Sequence, residues 1–141
     1  MKVVWIKIKW LYKYILFYRK AKTIYDLHSP KAYAFAKGVV EDRREFYAFK
    51  RIETLRRSLL KTKEMIPILD LGAGSRVNTA NFRPVRDLAR YNSISPQEGA
   101  LLFRMVQHFK PRHLLELGTS LGISTLYLKL GSLQTPLITV E

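Results

Sequence analysis

The segment from Leu114 to Glu141 constrains this chain more than any other. It opens with the apolar run Leu114-Leu115-Glu116-Leu117 and turns through Gly118-Thr119-Ser120-Leu121-Gly122. A helical pattern follows, Ile123-Ser124-Thr125-Leu126-Tyr127-Leu128. After a Gly-Ser break, a second apolar run, Pro136-Leu137-Ile138-Thr139-Val140, closes on Glu141. Short apolar runs bounded by turn residues suit buried parallel strands, and two of them joined by a helix make a β-α-β unit. The spacing predicts the opening unit of a nucleoside-binding α/β sheet, with a carboxylate at the tip of each strand.

Each residue of the turn has a physical part in that reading. Gly118 permits a sharp turn and lets a ligand approach the backbone. Gly122 lets the following helix sit close to the strand. The free N–H groups at that helix start favour an anionic group. Glu116 can accept hydrogen bonds from a ligand amine or hydroxyl. Glu141, 25 residues after Glu116, suits a carboxylate that receives both hydroxyls of a ribose. The plainer alternative is an ordinary β-α-β turn with surface carboxylates.

A β-α-β unit takes roughly 30 residues, and a finished sheet needs several. In 141 residues only the last third reads as α/β. The expectation is therefore an incomplete sheet behind a mainly helical N-terminal region, in the N-terminal part of a longer protein or in a truncated product. A small self-contained α/β fold, closed by a strand over Ile66–Leu71, is the alternative. Three segments are expected: 1–26, a basic aromatic amphipathic helix; 27–93, a helical region with a short strand and glycine loop; and 94–141, the β-α-β unit.

Charge narrows the partners without naming one. The chain carries 25 Lys and Arg against 11 Asp and Glu, a net +14. Residues 1–30 hold seven basic and one acidic residue, residues 31–67 ten and five, and residues 68–141 eight and five. Such an excess attracts nucleic acid or anionic lipid, and the predicted ligand segment is the least basic part. With no cysteine, disulfides, thiolate catalysis and Cys-based zinc sites are excluded. His28, His108 and His113 make no metal-ligand spacing, so no metal site is expected.

Residues 2–20 mix Trp, Tyr, Phe and Ile with lysines. Lys7, Lys9 and Lys13 interrupt the run, so it falls far short of the ~20 apolar residues of a membrane span. It also lacks the apolar core and small-residue site of a signal peptide. At about 100° per residue, Lys2, Lys9, Lys13 and Lys20 share one narrow face. Such a helix either contacts a membrane surface or nucleic acid, or packs on the protein with its lysines solvated.

Farther on, Ser29-Pro30 reads as a helix cap and first turn, ahead of a segment that Gly38 weakens. From Glu41 to Lys63 the period of Phe46, Phe49, Ile52, Leu55 and Leu59 predicts one helix. Ile66-Pro67-Ile68-Leu69-Asp70-Leu71-Gly72-Ala73-Gly74-Ser75 imitates a nucleotide loop. The polar, proline-closed stretch behind it lacks the apolar helix such a loop needs, so it is read as a decoy or accessory loop. Ser95-Pro96 caps a further helix, with Leu101, Leu102, Met105, Val106 and Phe109 as its buried face and Lys110-Pro111 as its end.

Taken together, these residues resemble class I S-adenosylmethionine-dependent methyltransferases, most closely the catechol O-methyltransferase-like branch. Glu116-Leu117-Gly118-Thr119-Ser120-Leu121-Gly122-Ile123-Ser124 looks like the family's first motif. Pro96-x-Glu98-Gly99-x-Leu101-Leu102 resembles the helix before it. The resemblance covers about residues 94–141 and implies a Rossmann-like methyltransferase sheet with S-adenosylmethionine as cofactor. It implies that Glu116 and Gly118 line the methionine side, with Thr119, Ser120 and Gly122 in the same turn. Ser124 would hold the methionine carboxylate and Glu141 the ribose. Ser120 departs from the middle glycine of many class I members, a departure this branch tolerates. The catalytic base and acceptor pocket fall outside the matched residues.

The expected activity is thus methyl transfer to an unidentified acceptor, O-methylation among the options. The expected location is the cytoplasm, with peripheral contact to an anionic membrane or nucleic acid through the basic N-terminus. An NAD(P)-dependent oxidoreductase fragment is the first rival, although Ser120 breaks its usual Gly-x-Gly-x-x-Gly. A non-catalytic basic module binding membrane or RNA is the second.

Overall fold

In the computed structural model, which describes residues 2–21, 23–68 and 82–141, the chain divides into two units, Met1–Glu41 and Asp42–Glu141. The imitation loop from Leu69 to Ser75 lies outside the described residues. The fold is mixed α/β.

The first unit is helical. Helix α1, Lys2–Lys20, places Arg19 and Lys20 in its last turn, where cations complement the helix dipole. Every described side chain from Trp5 to Lys20 is exposed. Among the described residues no helix is long and apolar enough to cross a membrane. A single 3-10 turn, Ile24–Asp26, follows. It is clamped by the Asp26 carboxylate, which accepts the Thr23 N–H at 2.7 Å and the Thr23 hydroxyl at 3.0 Å. Helix α2, Pro30–Phe35, starts as expected: the Ser29 hydroxyl accepts the Ala32 N–H, with proline in the first turn. It then widens into a π-turn over Ala36–Val40, around Gly38, the kind of bulge a weak helix former permits.

In the second unit the long helix starts later than its period suggests. Helix α3 spans Tyr47–Leu59, so Glu41–Phe46 is not helical. Asp42 explains the difference. Its carboxylate accepts the Arg44 backbone N–H at 2.9 Å and grips the Arg44 guanidinium at 2.7–3.0 Å, a local turn that competes with helix. The Arg104 guanidinium donates to the Asp42 carbonyl, pinning this turn to a later element. Strand β1, Met65–Pro67, pairs antiparallel with β2, Phe82–Pro84, which leads directly into helix α4, Val85–Tyr91. Ile66 and Pro67, which the self-contained alternative would use to close the main sheet, therefore belong to a separate two-stranded ribbon, and Leu69–Leu71 lie outside the described residues.

Helix α5, Pro96–Phe109, carries the predicted Ser95 cap and a feature the sequence reading passed over. Glu98 reaches back to the Ser95 N–H at 2.8 Å while the Ser95 hydroxyl accepts the Glu98 N–H. This reciprocal pair satisfies two orphan donors and holds the Glu98 carboxyl below its usual range. Lys110, in the left-handed conformation, ends the helix. The expected buried face is met in part. Val106 is buried and Leu101, Leu102 and Met105 are half-buried, but the most buried side also takes in Gly99 and Phe103, and Phe109 is 60% exposed.

Strand β3, Leu114–Leu117, helix α6, Ile123–Gly131, and strand β4, Leu137–Val140, form the anticipated β-α-β unit. The strands are parallel, with Leu114 opposite Leu137 and Leu117 opposite Val140. Burial on both faces, the expectation for parallel strands, is not met. Glu116 points to the α6 side and is buried, while Leu115, Leu117, Ile138 and Val140 on the other face are exposed.

The core joins α3, α5 and α6. Ile52, Phe103, Ile123 and Tyr127 form it, ringed by Phe46 and Phe49. The ring centroids of Phe46 and Phe49 lie 4.8 and 5.0 Å from that of Phe103, within the favourable range for aromatic pairs. Two glycines bring α5 and α6 close. A Cβ on Gly99 would sit 2.3 Å from the Tyr127 ring, and one on Gly131 2.9 Å from the Phe103 carbonyl oxygen.

Candidate functional site at the turn between β3 and α6

The turn is built from left-handed backbone. Gly118, Ser120 and Gly122 have φ of 85°, 46° and 71°. Glycine adopts that region freely, and other residues at a cost of roughly 1–2 kcal/mol. The middle position therefore asks for glycine on conformational grounds, and Ser120 occupies it under strain. The Gly118 N–H donates to the Val140 carbonyl at 2.7 Å, and the Gly122 N–H donates to Thr119 at 2.8 Å. The first bond extends the parallel ladder one residue past β3. The second closes the loop before α6.

A Cβ on Gly118 would meet nothing within 4 Å. The space beside the strand tip is open, and φ is what demands glycine there. Gly122 differs from its expected part. A Cβ there would touch only the Thr125 hydroxyl, at 3.8 Å, so its value is also its left-handed φ. The close approach of helices is made by Gly99 and Gly131 instead.

Both predicted carboxylates are held at this turn. Glu141, exposed just beyond β4, accepts the Ser120 backbone N–H at 2.8 Å. Glu116 is 8% exposed and accepts the Thr125 hydroxyl at 2.5 Å. Thr125 thus masks one oxygen of a carboxylate expected to face a ligand directly. Ser124, half-buried, sits in the first turn of α6 beside the N–H groups that lack intrahelical acceptors. Thr119 is half-buried within the loop. The structure therefore gathers Gly118, Thr119, Ser120, Gly122 and Glu141 around one turn, with Glu116 and Ser124 on the strand and helix that flank it.

Behind the turn lies a network that sequence reasoning did not anticipate. Tyr127, 1% exposed, donates its hydroxyl to Glu53 at 2.8 Å, and Glu53 in turn accepts the Arg56 Nε at 3.0–3.1 Å. Burial, and then the bond to Glu53, push the Tyr127 hydroxyl up to about 12. This chain of bonds fixes α6, and hence the turn it begins, to α3. Its partners lie too far apart in sequence for spacing to reveal them. Thr125 could have been found, since a hydroxyl in the first turn of such a helix faces the preceding strand.

Residues 114–128 contain no lysine or arginine, although the chain is strongly basic. The turn thus offers two carboxylates, backbone N–H groups and hydroxyls, with no competing cation in its own segment. Among the described residues no cluster of His, Asp and Glu could hold a metal. No family model, curated protein or solved structure matches this chain.

Proposed function

We propose that this turn is the cofactor site of a class I S-adenosylmethionine-dependent methyltransferase whose Rossmann-like sheet begins with β3 and β4. The observation that carries the reading is the pair of carboxylates at adjacent parallel strand ends, gathered around one left-handed turn that is free of lysine and arginine. The donor set fits the cofactor. A cationic sulfonium and ammonium favour the Glu116 side, ribose hydroxyls favour Glu141, and a carboxylate favours the start of α6 near Ser124. When bound, S-adenosylmethionine supplies an electrophilic methyl group. The residues of this chain would do the positioning. Gly118 leaves the backbone open to close approach, the Ser120 N–H orients Glu141, and Thr125 orients Glu116. Catalysis of this kind rests on orientation and electrostatics. The acceptor, a hydroxyl compound among the options, is recognised outside these residues.

Amide NMR spectra of the chain with millimolar S-adenosylhomocysteine test the site. The amides of Gly118, Ser120 and Gly122 should shift. Gly118→Val should abolish the shifts while leaving the helical circular dichroism nearly intact, because a β-branched residue resists φ near 85°. Shifts produced by NAD and not by S-adenosylhomocysteine would replace this reading with the oxidoreductase. Silence with both would leave the turn structural.

A further inference from the structure

We infer that α1 is an interfacial helix that lies flat on an anionic lipid bilayer. Its surroundings set the problem. All its described side chains are exposed, among them Trp5 at 75%, Trp10 at 68% and Phe17 at 68%. Large apolar side chains left in water on this scale mark an interaction surface.

Charge selects the partner. The helix contains Lys2, Lys7, Lys9, Lys13, Arg19 and Lys20 and no acidic residue. A second copy of α1 would meet it with like charge, so the helix is poorly suited to pairing with itself. At about 100° per residue, Lys9, Lys13 and Lys20 fall within a stripe some 40° wide, and apolar side chains occupy most of the remaining described surface. Ile8, Leu11 and Ile15 lie on the side away from the stripe. Nucleic acid would satisfy the cations and could stack on the aromatics, but it would leave those aliphatic side chains wet. An anionic bilayer satisfies both groups: lysines at the headgroups, aliphatics at the acyl boundary, and Trp and Tyr at the level between.

Depth is limited by the same sequence. Lys7 lies across the helix from the stripe, so its ammonium reaches water only by extending its stem to the interface. Nineteen residues span about 28 Å, yet the lysines exclude a crossing. The helix therefore lies in the plane of the surface. Lys13 placed over the Trp10 ring, 5.8 Å from its centroid, puts a cation and an interfacial aromatic side by side.

The protein carries its own reporter. Its two tryptophans are Trp5 and Trp10, so tryptophan emission reads α1 alone. Adding phosphatidylserine-containing vesicles to the full chain should shift that emission to the blue, and added salt should reverse part of the shift. Phosphatidylcholine vesicles should give a much smaller change. The triple variant Lys9→Gln, Lys13→Gln, Lys20→Gln alters only exposed positions. It should lower the apparent partition constant for anionic vesicles about a hundredfold, roughly fivefold per charge. Three results would each overturn the inference: unshifted emission at millimolar anionic lipid, equal shifts with both vesicle types, or a response to a short RNA without a response to vesicles.

Discussion

At the residue scale, the turn carries its logic in three φ values and two carboxylates. Glycines and acids can be read from a sequence, so Gly118, Gly122, Glu116 and Glu141 were all legible, and the structure does place them around one loop. The strain at Ser120 was legible only as a departure from a pattern, and the Thr125–Glu116 bond only through a hydroxyl in the first turn of α6. Replacing Glu141 with Gln keeps its size and removes a charge. Hydrogen bonds to a charged group contribute ~1.5–3 kcal/mol. Affinity for S-adenosylhomocysteine should fall roughly tenfold, about 1.4 kcal/mol, while a 2′,3′-dideoxy analogue should be hardly affected. Calorimetry with both ligands decides, and equal losses would place Glu141 away from the ribose. A second carboxylate predicts a pH dependence. The Arg44 side chain and backbone bonds lower the Asp42 carboxyl to about 2. A folded-state value below the unfolded one gives stability that is present above about pH 4 and lost as pH falls toward 2. Asp42→Asn should flatten the fall in melting temperature across that window. An unchanged acid limb would show that the Asp42–Arg44 turn contributes nothing to stability.

At the scale of elements, hydrophobic period located α3, α5 and α6 but misjudged where α3 starts and how far the buried face of α5 extends. The reason is physical. Period reports which residues could be inside, and packing partners decide which are. Phe103 wins over Phe109 because Phe46, Phe49 and Tyr127 gather on its side. Gly99 shows the same dependence. In sequence it weakens a helix, whereas in the structure it opens the gap that the Tyr127 ring fills. That ring is buried and tied to Glu53, so it cannot swing aside. Gly99→Ala should therefore destabilise the fold by about 1–3 kcal/mol through overpacking, despite the better helix propensity of alanine. Urea denaturation would measure it, and a stabilised variant would mean that α5 and α6 can separate at little cost. Of the β1–β2 ribbon the sequence showed a short strand at Ile66 but not its partner, because β2 is three residues long, too short for alternation to show.

At the scale of the whole molecule, the drift of charge along the chain was visible from composition, but the division after Glu41 was not, since no proline-rich or glycine-rich linker marks it. The open apolar face of β3 and β4 was also hidden, because a run such as Leu114–Leu117 looks the same whether one side is covered or both. One long-range bond carries a different kind of consequence. Tyr127 and Glu53 are 74 residues apart, while β3 and β4 pair across a single helix. Contacts that close short loops form early in folding, and those that close long ones form late. The β-α-β unit should be the nucleus and its docking onto α3 the last event. Tyr127→Phe should then raise the unfolding rate roughly tenfold, with refolding nearly unchanged. Stopped-flow kinetics would read the two limbs separately, and slower refolding would place the bond in the transition state. If docking comes last, its rupture comes first, and the time that α6 stays seated on α3 behind the turn is set by a single phenol hydroxyl.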